Sequence, residues 1–482
     1  MTKLFRNTGY LALGSQLGNV LQFLFFLYIA RRFGEESLGL YAFAFSLTYV
    51  FFVLADLGLS TYMMREVARD KSGTRQILAR CLALRLLAVV FFSGTAVLVL
   101  AVFFRSSSGT AIKIIGLLGL YQVFMSLADI FLAEFKGHDR MGLVSLLTFL
   151  GKAIIVGLGV ILAVLRLDFL AVMSGFPIGA LIYFLACVAL SRRFFKGTRL
   201  RLSDLRLGDL FLEILPFGLA FVFVEVLYHL DVLMLRFFED DRAVGIFSAA
   251  NRLVLAVIGV ILFVHTALMP TFSRLFVDAP ARLVELSKQT LRYLSLVGLP
   301  LAAGTFVLSD KIIALLYPGA FRESAGPLRL LSWTIALGFA AATFSILLTA
   351  INRQKEKVIA IGAVLAFNFA ANLILIPRLS IAGAAWAKLM TEALHLALMA
   401  LLTVRYLAPL PVHRIMFKPA LSCAFMSVFI LLFPGWSLVS IVPAGALAYV
   451  AFLAVVRGYT RAEIAFLKRT SRRLLFRKRA AA

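Results

Sequence analysis

The sequence predicts an all-α integral membrane protein of about fourteen transmembrane helices. Two six-helix halves would surround a central cavity, with two helices appended. Three observations predict it. Of 482 residues, 62% are hydrophobic and 15% charged, whereas soluble domains carry roughly 25% charged residues. Mean hydropathy is +0.97, and the apolar residues come in runs long enough to cross a hydrocarbon core of about 30 Å as helices. The layout around Gly39 also returns around Gly245.

Taken in order, the spans are expected near 9–31, 38–63, 78–104, 111–135, 142–165, 168–191, 211–238, 243–270, 290–317, 325–351, 358–377, 381–404, 415–433 and 436–456. The first run has no small-residue cleavage site behind it and reads as a permanent helix. The segments RRFGEES, FRSSSGTA, RLD, EDDRAVG, PGAFRESAGP, PRLS and PGW form one set of loops, all short. Most Lys and Arg lie in the opposite set, which places both termini in the cytoplasm. The expected units are 1–191, a basic linker over 192–210, a second half over 211–406, two further helices over 407–456 and a basic tail over 457–482. The linker and tail are amphipathic enough to lie on an anionic membrane face; the linker also reads as a plain tether.

The net charge of +25 follows this topology, so nucleic acid is not an expected partner. Cys81, Cys187 and Cys423 have neither disulfide nor metal spacing. There is no P-loop, no metal-ligand cluster and no Gly-rich nucleotide loop, so no cofactor or metal is expected. The short loops leave little room for an enzyme's catalytic groups.

Charges inside spans are costly, so each is a functional candidate. Gln16, Asn19 and Gln22 form a polar stripe on helix 1. Glu225, Tyr228, His229 and Asp231 share a face of helix 7, and Asn251 and Arg252 lie in helix 8. Asp231 and Arg252 sit at matching depth, which predicts either an ion pair between them or an Arg252 free to bind an anion. Asp56 and Arg85 are depth-matched and read as a structural pair; Asp129 and Lys152 are another such couple. Arg65, at the mouth of helix 2, is explained by snorkelling. Lys388, Glu392 and His395 share one face of helix 12, where a Lys–Glu pair would satisfy itself. His265 reads as a packed core residue. Aligning Gly39 with Gly245 places Asn19 on Glu225, Gln22 on Tyr228 and Ser46 on Arg252; aligning FKGHDRM with INRQKEK places Lys152 on Asn368.

Several stretches carry a family resemblance. SQLGNVLQFLFFLYIARRFGEESLGLYAFAFSLTYVFFVLADLGLSTYMMREVAR, DVLML…VGIFSAANRL and INRQKEK…NFAANLILIPRLSIAGAAWA resemble the polysaccharide transporter family, the Wzx-type O-antigen flippases of the MOP exporter superfamily. The resemblance implies translocation of a polyprenyl-diphosphate-linked oligosaccharide to the outer leaflet of the cell inner membrane by alternating access. The energy source would be an ion gradient. Candidate cavity cations are Arg252, Lys152, Arg65 and Arg85; candidate ion-coupling groups are Glu225, Asp231, His229 and Asp56; Gln16, Asn19, Gln22, Tyr228 and Asn251 would line the cavity. The glycan substrate and membrane lipid are the expected partners of a monomer, and polysaccharide polymerase machinery is a candidate one. A lipid II flippase and a cation-coupled drug or metabolite antiporter of the same superfamily are the alternatives.

Overall fold

The computed structural model describes residues 2–103, 109–194, 207–259 and 261–458, and every regular element among them is helical. In chain order these are α1 (Thr2–Asp56), α2 (Leu59–Arg69), α3 (Thr74–Phe103), α4 (Gly109–Gly137), α5 (Met141–Val164), α6 (Phe169–Phe194), α7 (Leu207–Phe238), α8 (Asp241–Ile258), α9 (Ile261–Asp278), α10 (Pro280–Leu316), α11 (Ala325–Ala350), α12 (Gln354–Tyr406), α13 (Val412–Leu432) and α14 (Leu438–Val455). A 3₁₀ turn, Gly319–Ser324, precedes α11. Most of the linker, 195–206, and the tail from 459 lie outside the described residues.

Two predicted loops are scarcely loops. Helical hydrogen bonding runs through RRFGEES, and α1 breaks only at Gly34, with φ 79°. Only glycine adopts that region freely. A straight helix of 55 residues would span about 80 Å, far more than a bilayer. It folds back, so that Phe26 and Tyr41 pack with ring centroids 6.4 Å apart. α12 folds back likewise at Ser380, and Asn368 before the break bonds Thr391 after it at 3.0 Å. Each of these two elements therefore crosses twice.

Of two further spans, one is broken and one is described in two parts. Span 2 stops at Asp56, whose carboxylate accepts from the Gly58 N–H (3.2 Å), the Ser60 hydroxyl (2.8 Å) and the Ser60 N–H in the first turn of α2 (3.4 Å). Span 8 is described as α8 and α9, on either side of residue 260, which lies outside the described residues. With these breaks joined and the two folded helices split, the described chain crosses fourteen times.

Packing differs at the two ends of the bundle. At the end holding Gly34 and the α7–α8 turn, one apolar core joins α1, α4, α5 and α6 to α7, α8, α10 and α11. At the other end the core divides. One part lies among α2, α3, α4 and α6 and the other among α9, α10, α11 and α12. Among the described residues α7 bridges here, placing Ile214 in the first cluster. Among the described residues the apolar core is thus continuous at the turn end and parted toward the basic-loop end.

The seal is built from the repeat. A Cβ on Gly39 would collide with the Asp241 carbonyl oxygen, and one on Gly245 with the Glu35 carbonyl oxygen. The alignment of Gly39 with Gly245 also places Glu35 on Asp241, so the contact is reciprocal. Around it, Arg242 lies 3.6 Å from Glu35 and 2.7 Å from Glu323. Arg31 donates to the Leu315 and Leu316 carbonyl oxygens, both at 2.8 Å. Gly39→Ala or Gly245→Ala is expected to cost about 1–3 kcal/mol by overpacking. Thermal unfolding in detergent checks this against Gly94→Ala, where a Cβ meets open space.

Candidate functional site

α8 starts at a cap in which Asp240 accepts the Ala243 N–H at 2.8 Å. Tyr317 and Ser324 fix its first turns by donating to the Ala249 (3.1 Å) and Ile246 (2.8 Å) carbonyl oxygens. Arg252 follows about 16 Å along the helix at 1.5 Å per residue. Its guanidinium lies 5.2 Å from the centre of the Phe26 ring and lines a cavity of about 280 Å³ between α1 and α8. The α1 wall is the predicted stripe, Gln16, Asn19 and Gln22. Arg252 makes no ion pair among the described residues.

Lys152 of α5 reaches the same stripe. Its stem passes so close to Gly18 that a Cβ there would collide with it, and its ammonium donates to Asn19 Oδ1 at 2.6 Å. Arg252 lies within electrostatic reach of it. Two cations thus converge on one polar stripe whose side chains are all neutral amides. Lys152 forms no ion pair with Asp129, which differs from the depth-matched expectation. α5 directs it across α1, and depth carries no information about direction around a helix.

The expected Asp231–Arg252 pair is also absent, for the same reason. α7 turns Asp231 toward α12 while α8 turns Arg252 toward α1. Asp231 is 1% exposed. Its Oδ2 accepts from the Lys388 ammonium at 2.9 Å, and its Oδ1 accepts from the Asn368 and Asn372 amides, each at 3.0 Å. Lys388 is therefore not satisfied within its own helix; Glu392 instead meets His395 at 3.4 Å. Asn372 and Thr391 are members of this network that the sequence reading did not single out. The i, i+4 spacing of Asn368 and Asn372 was the available signal.

Arg85 is fully buried and paired with Asp56, with Ser60 accepting a further bond at 3.0 Å. That removes both from the set of groups facing a cavity and makes them the joint between α1, α2 and α3. Arg65 bonds Glu66 at 2.9 Å and lies 5.6 Å from the Tyr62 ring centre on α2, apart from the Arg252 cavity. His229 reaches across to α1, with Nδ1 2.9 Å from Ser46 Oγ and its ring 4.7 Å from that of Tyr49. Glu225, one turn earlier, faces Tyr49 as well. Tyr228 is exposed, and Asn251 is buried with its Oδ1 unpartnered. Among the described residues no cluster could hold a metal ion.

On the loops the electrostatics are ordinary. The Ser72 hydroxyl and N–H hold the Asp70 carboxyl below its usual value, while burial, then Lys71 and Arg140, lower His138.

A sealed, internally repeated helical bundle with a cationic cavity between its halves defines a multi-pass membrane protein with the fold of the MOP exporter superfamily. The chain belongs to the polysaccharide biosynthesis protein family, whose sequence model matches residues 4–276. Among solved structures it is similar to the lipid II flippase MurJ in an inward closed conformation. The TM-score is 0.76 at 18% identity, over 92% of this chain and 98% of that one. It is also similar to an inward-facing multidrug resistance MATE family transporter of the MOP superfamily, with TM-score 0.64 at 15% identity over 83% and 95% of the chains. A MOP superfamily transporter from Pyrococcus furiosus gives 0.61 at 17% over 82% and 94%. No curated protein matches the chain in sequence.

Proposed function

We propose that this protein flips a polyprenyl-diphosphate-linked oligosaccharide from the cytoplasmic to the outer leaflet of the cell inner membrane. The observation that carries the proposal is the convergence of Arg252 and Lys152 on the Gln16–Asn19–Gln22 stripe. Two cations that form no ion pair among the described residues are costly inside a bilayer and suit a diphosphate, since charge-assisted bonds to Arg and Lys are strong. The cavity lies on the α1–α8 side, where the bundle parts. Leu17, Val20 and Leu24 of α1 are exposed beside it, so a lipid tail can stay in hydrocarbon while its head enters.

The positive-inside distribution of Lys and Arg makes the parted end cytoplasmic, with both termini on that side. The substrate would load from that face and leave when the Gly39–Gly245 seal opens. The two halves, 1–191 and 211–406, would rock so that this contact parts, with 407–456 riding on the second. Glu225 and His229, which lie where α7 meets α1, are the candidate ion-coupling groups. Asp231 would act only through its network with Lys388. A monomer suffices for this cycle, and polymerase machinery would act on the product.

A lipid II substrate is the second reading, favoured by the likeness to MurJ. Purified protein in liposomes, given a labelled lipid-linked glycan, is expected to move it between leaflets faster under an imposed proton or sodium gradient. Movement of labelled lipid II alone would assign the second reading. Movement of neither would overturn both.

A further inference from the structure

A second cavity takes no part in this scheme. It holds about 610 Å³ between α1, α3 and α4. Its walls are apolar, with Phe51, Phe92, Ile115 and Val123 among them, and none of its lining residues is charged. It opens toward the lipid, because two of its lining residues, Ile112 and Leu120, are 51% and 46% exposed.

The cavity exists because α3 stands away from α4. Arg85 and Cys81 bury its first half, but no residue from Leu86 to Ala96 is buried. α10 is its counterpart in the repeat, since Thr74 and Pro280 begin the two helices at the same spacing as Gly39 and Gly245. α10 carries buried residues from Leu283 to Ile313 and packs tightly, with Gly298 against Phe339. The same alignments place Phe92 where Gly298 stands and Val123 where Phe339 stands. Both residues of the first half line the cavity. A bulky ring in place of glycine thus props the first half open where the second half is closed.

Two polar side chains of its wall each carry a buried atom without a partner. The Gln122 side-chain amide nitrogen and the Ser126 hydroxyl are buried, one turn apart on α4, and make no hydrogen bond. Gln122 is 5% exposed and Ser126 0%. A buried amide without a partner costs roughly 1–3 kcal/mol, and α4 carries this one near the middle of its length. An apolar cavity of about 300–1,000 Å³ with a few placed polar groups is the usual form of a small-molecule site.

The geometry points to a binding site for a neutral, lipophilic small molecule that enters from the bilayer and accepts a hydrogen bond from Gln122 through a carbonyl, ether or hydroxyl oxygen. A charged ligand would find no counter-ion here. A plain hydrocarbon chain would leave the amide unsatisfied. The site lies in the first half alone, away from Arg252, and does not depend on what the carrier transports.

Benzophenone is a suitable probe, because it is a neutral ketone that inserts into C–H bonds on illumination. Full-length protein in lipid nanodiscs is expected to be labelled saturably on peptides covering 89–96 and 112–126. An excess of 2-undecanone should displace the label, while undecane at the same concentration should not. Gly116→Leu, which fills the cavity, should abolish the saturable label. Gln122→Leu should weaken binding about fivefold, as the loss of one net hydrogen bond implies. Gly94→Leu, which meets open space, should change nothing. Labelling that rises linearly with probe, falls elsewhere on lipid-exposed helices, or is displaced equally by undecane would overturn the proposal. The competition arm needs no variant and so is independent of any folding defect.

Discussion

Lys388→Met is expected to lower the stability of the protein by about 3–5 kcal/mol, the cost of breaking a buried ion pair from one side. The Asp231 carboxylate has two amide donors and one ammonium. Without the ammonium, a charge remains inside the bundle with amides alone to stabilise it. α7 and α12 would lose the joint that holds them at this depth. The double substitution Asp231→Asn with Lys388→Met should recover most of the loss, because removing both charges is often neutral. Thermal unfolding in detergent measures both. A single variant that melts with the parent would show that the pair does not join these helices, and Asp231 would return to the set of titrating candidates.

Arg252→Ala is expected to abolish glycan export while membrane levels stay normal, and Arg252→Lys to retain part of it. A charge-assisted hydrogen bond contributes about 1.5–3 kcal/mol, so the Ala variant should hold the diphosphate roughly 10- to 100-fold less well. The fold should tolerate the change, since α8 is fixed by Asp240, Tyr317, Ser324 and the Gly39–Gly245 crossing. Lysine keeps the charge but loses the fork that matches a phosphate's oxygens. Export by complementation, with blotting for membrane levels, reads the result. Full export by Arg252→Ala would remove this arginine from substrate binding, and Lys152→Met would then be the decisive variant.

The charged groups show where sequence reasoning stopped. The sequence assigns each candidate a depth, because a helix rises by a fixed 1.5 Å per residue and the apolar runs mark its ends. Depth alone paired Asp56 with Arg85, where the two helices happen to face each other. The same reasoning paired Asp231 with Arg252 and Asp129 with Lys152, where they do not. The bearing of a side chain around its helix has meaning only relative to a neighbour. The neighbours of α7 and α5 at these depths are α12 and α1, far away in sequence.

The repeat was legible from a few residues, Gly39 and Gly245 chief among them, because close helix crossings demand glycine in both copies. Its chemical asymmetry was not. Lys152 meets Asn19 in the first half, while its counterpart Asn368 meets Asp231 in the second, so equivalent helices carry unlike contacts.

By itself, the sequence determined a membrane-spanning bundle of about fourteen helices, its repeat and the identity of its intramembrane charges. Bilayer thickness and the cost of buried charge act on each segment alone, so they can be read locally. Only the tertiary structure decided which charges neutralise one another, which end is sealed, and that Arg252 and Lys152 share the stripe on α1. Those outcomes depend on contacts between segments up to 285 residues apart, which no local pattern encodes.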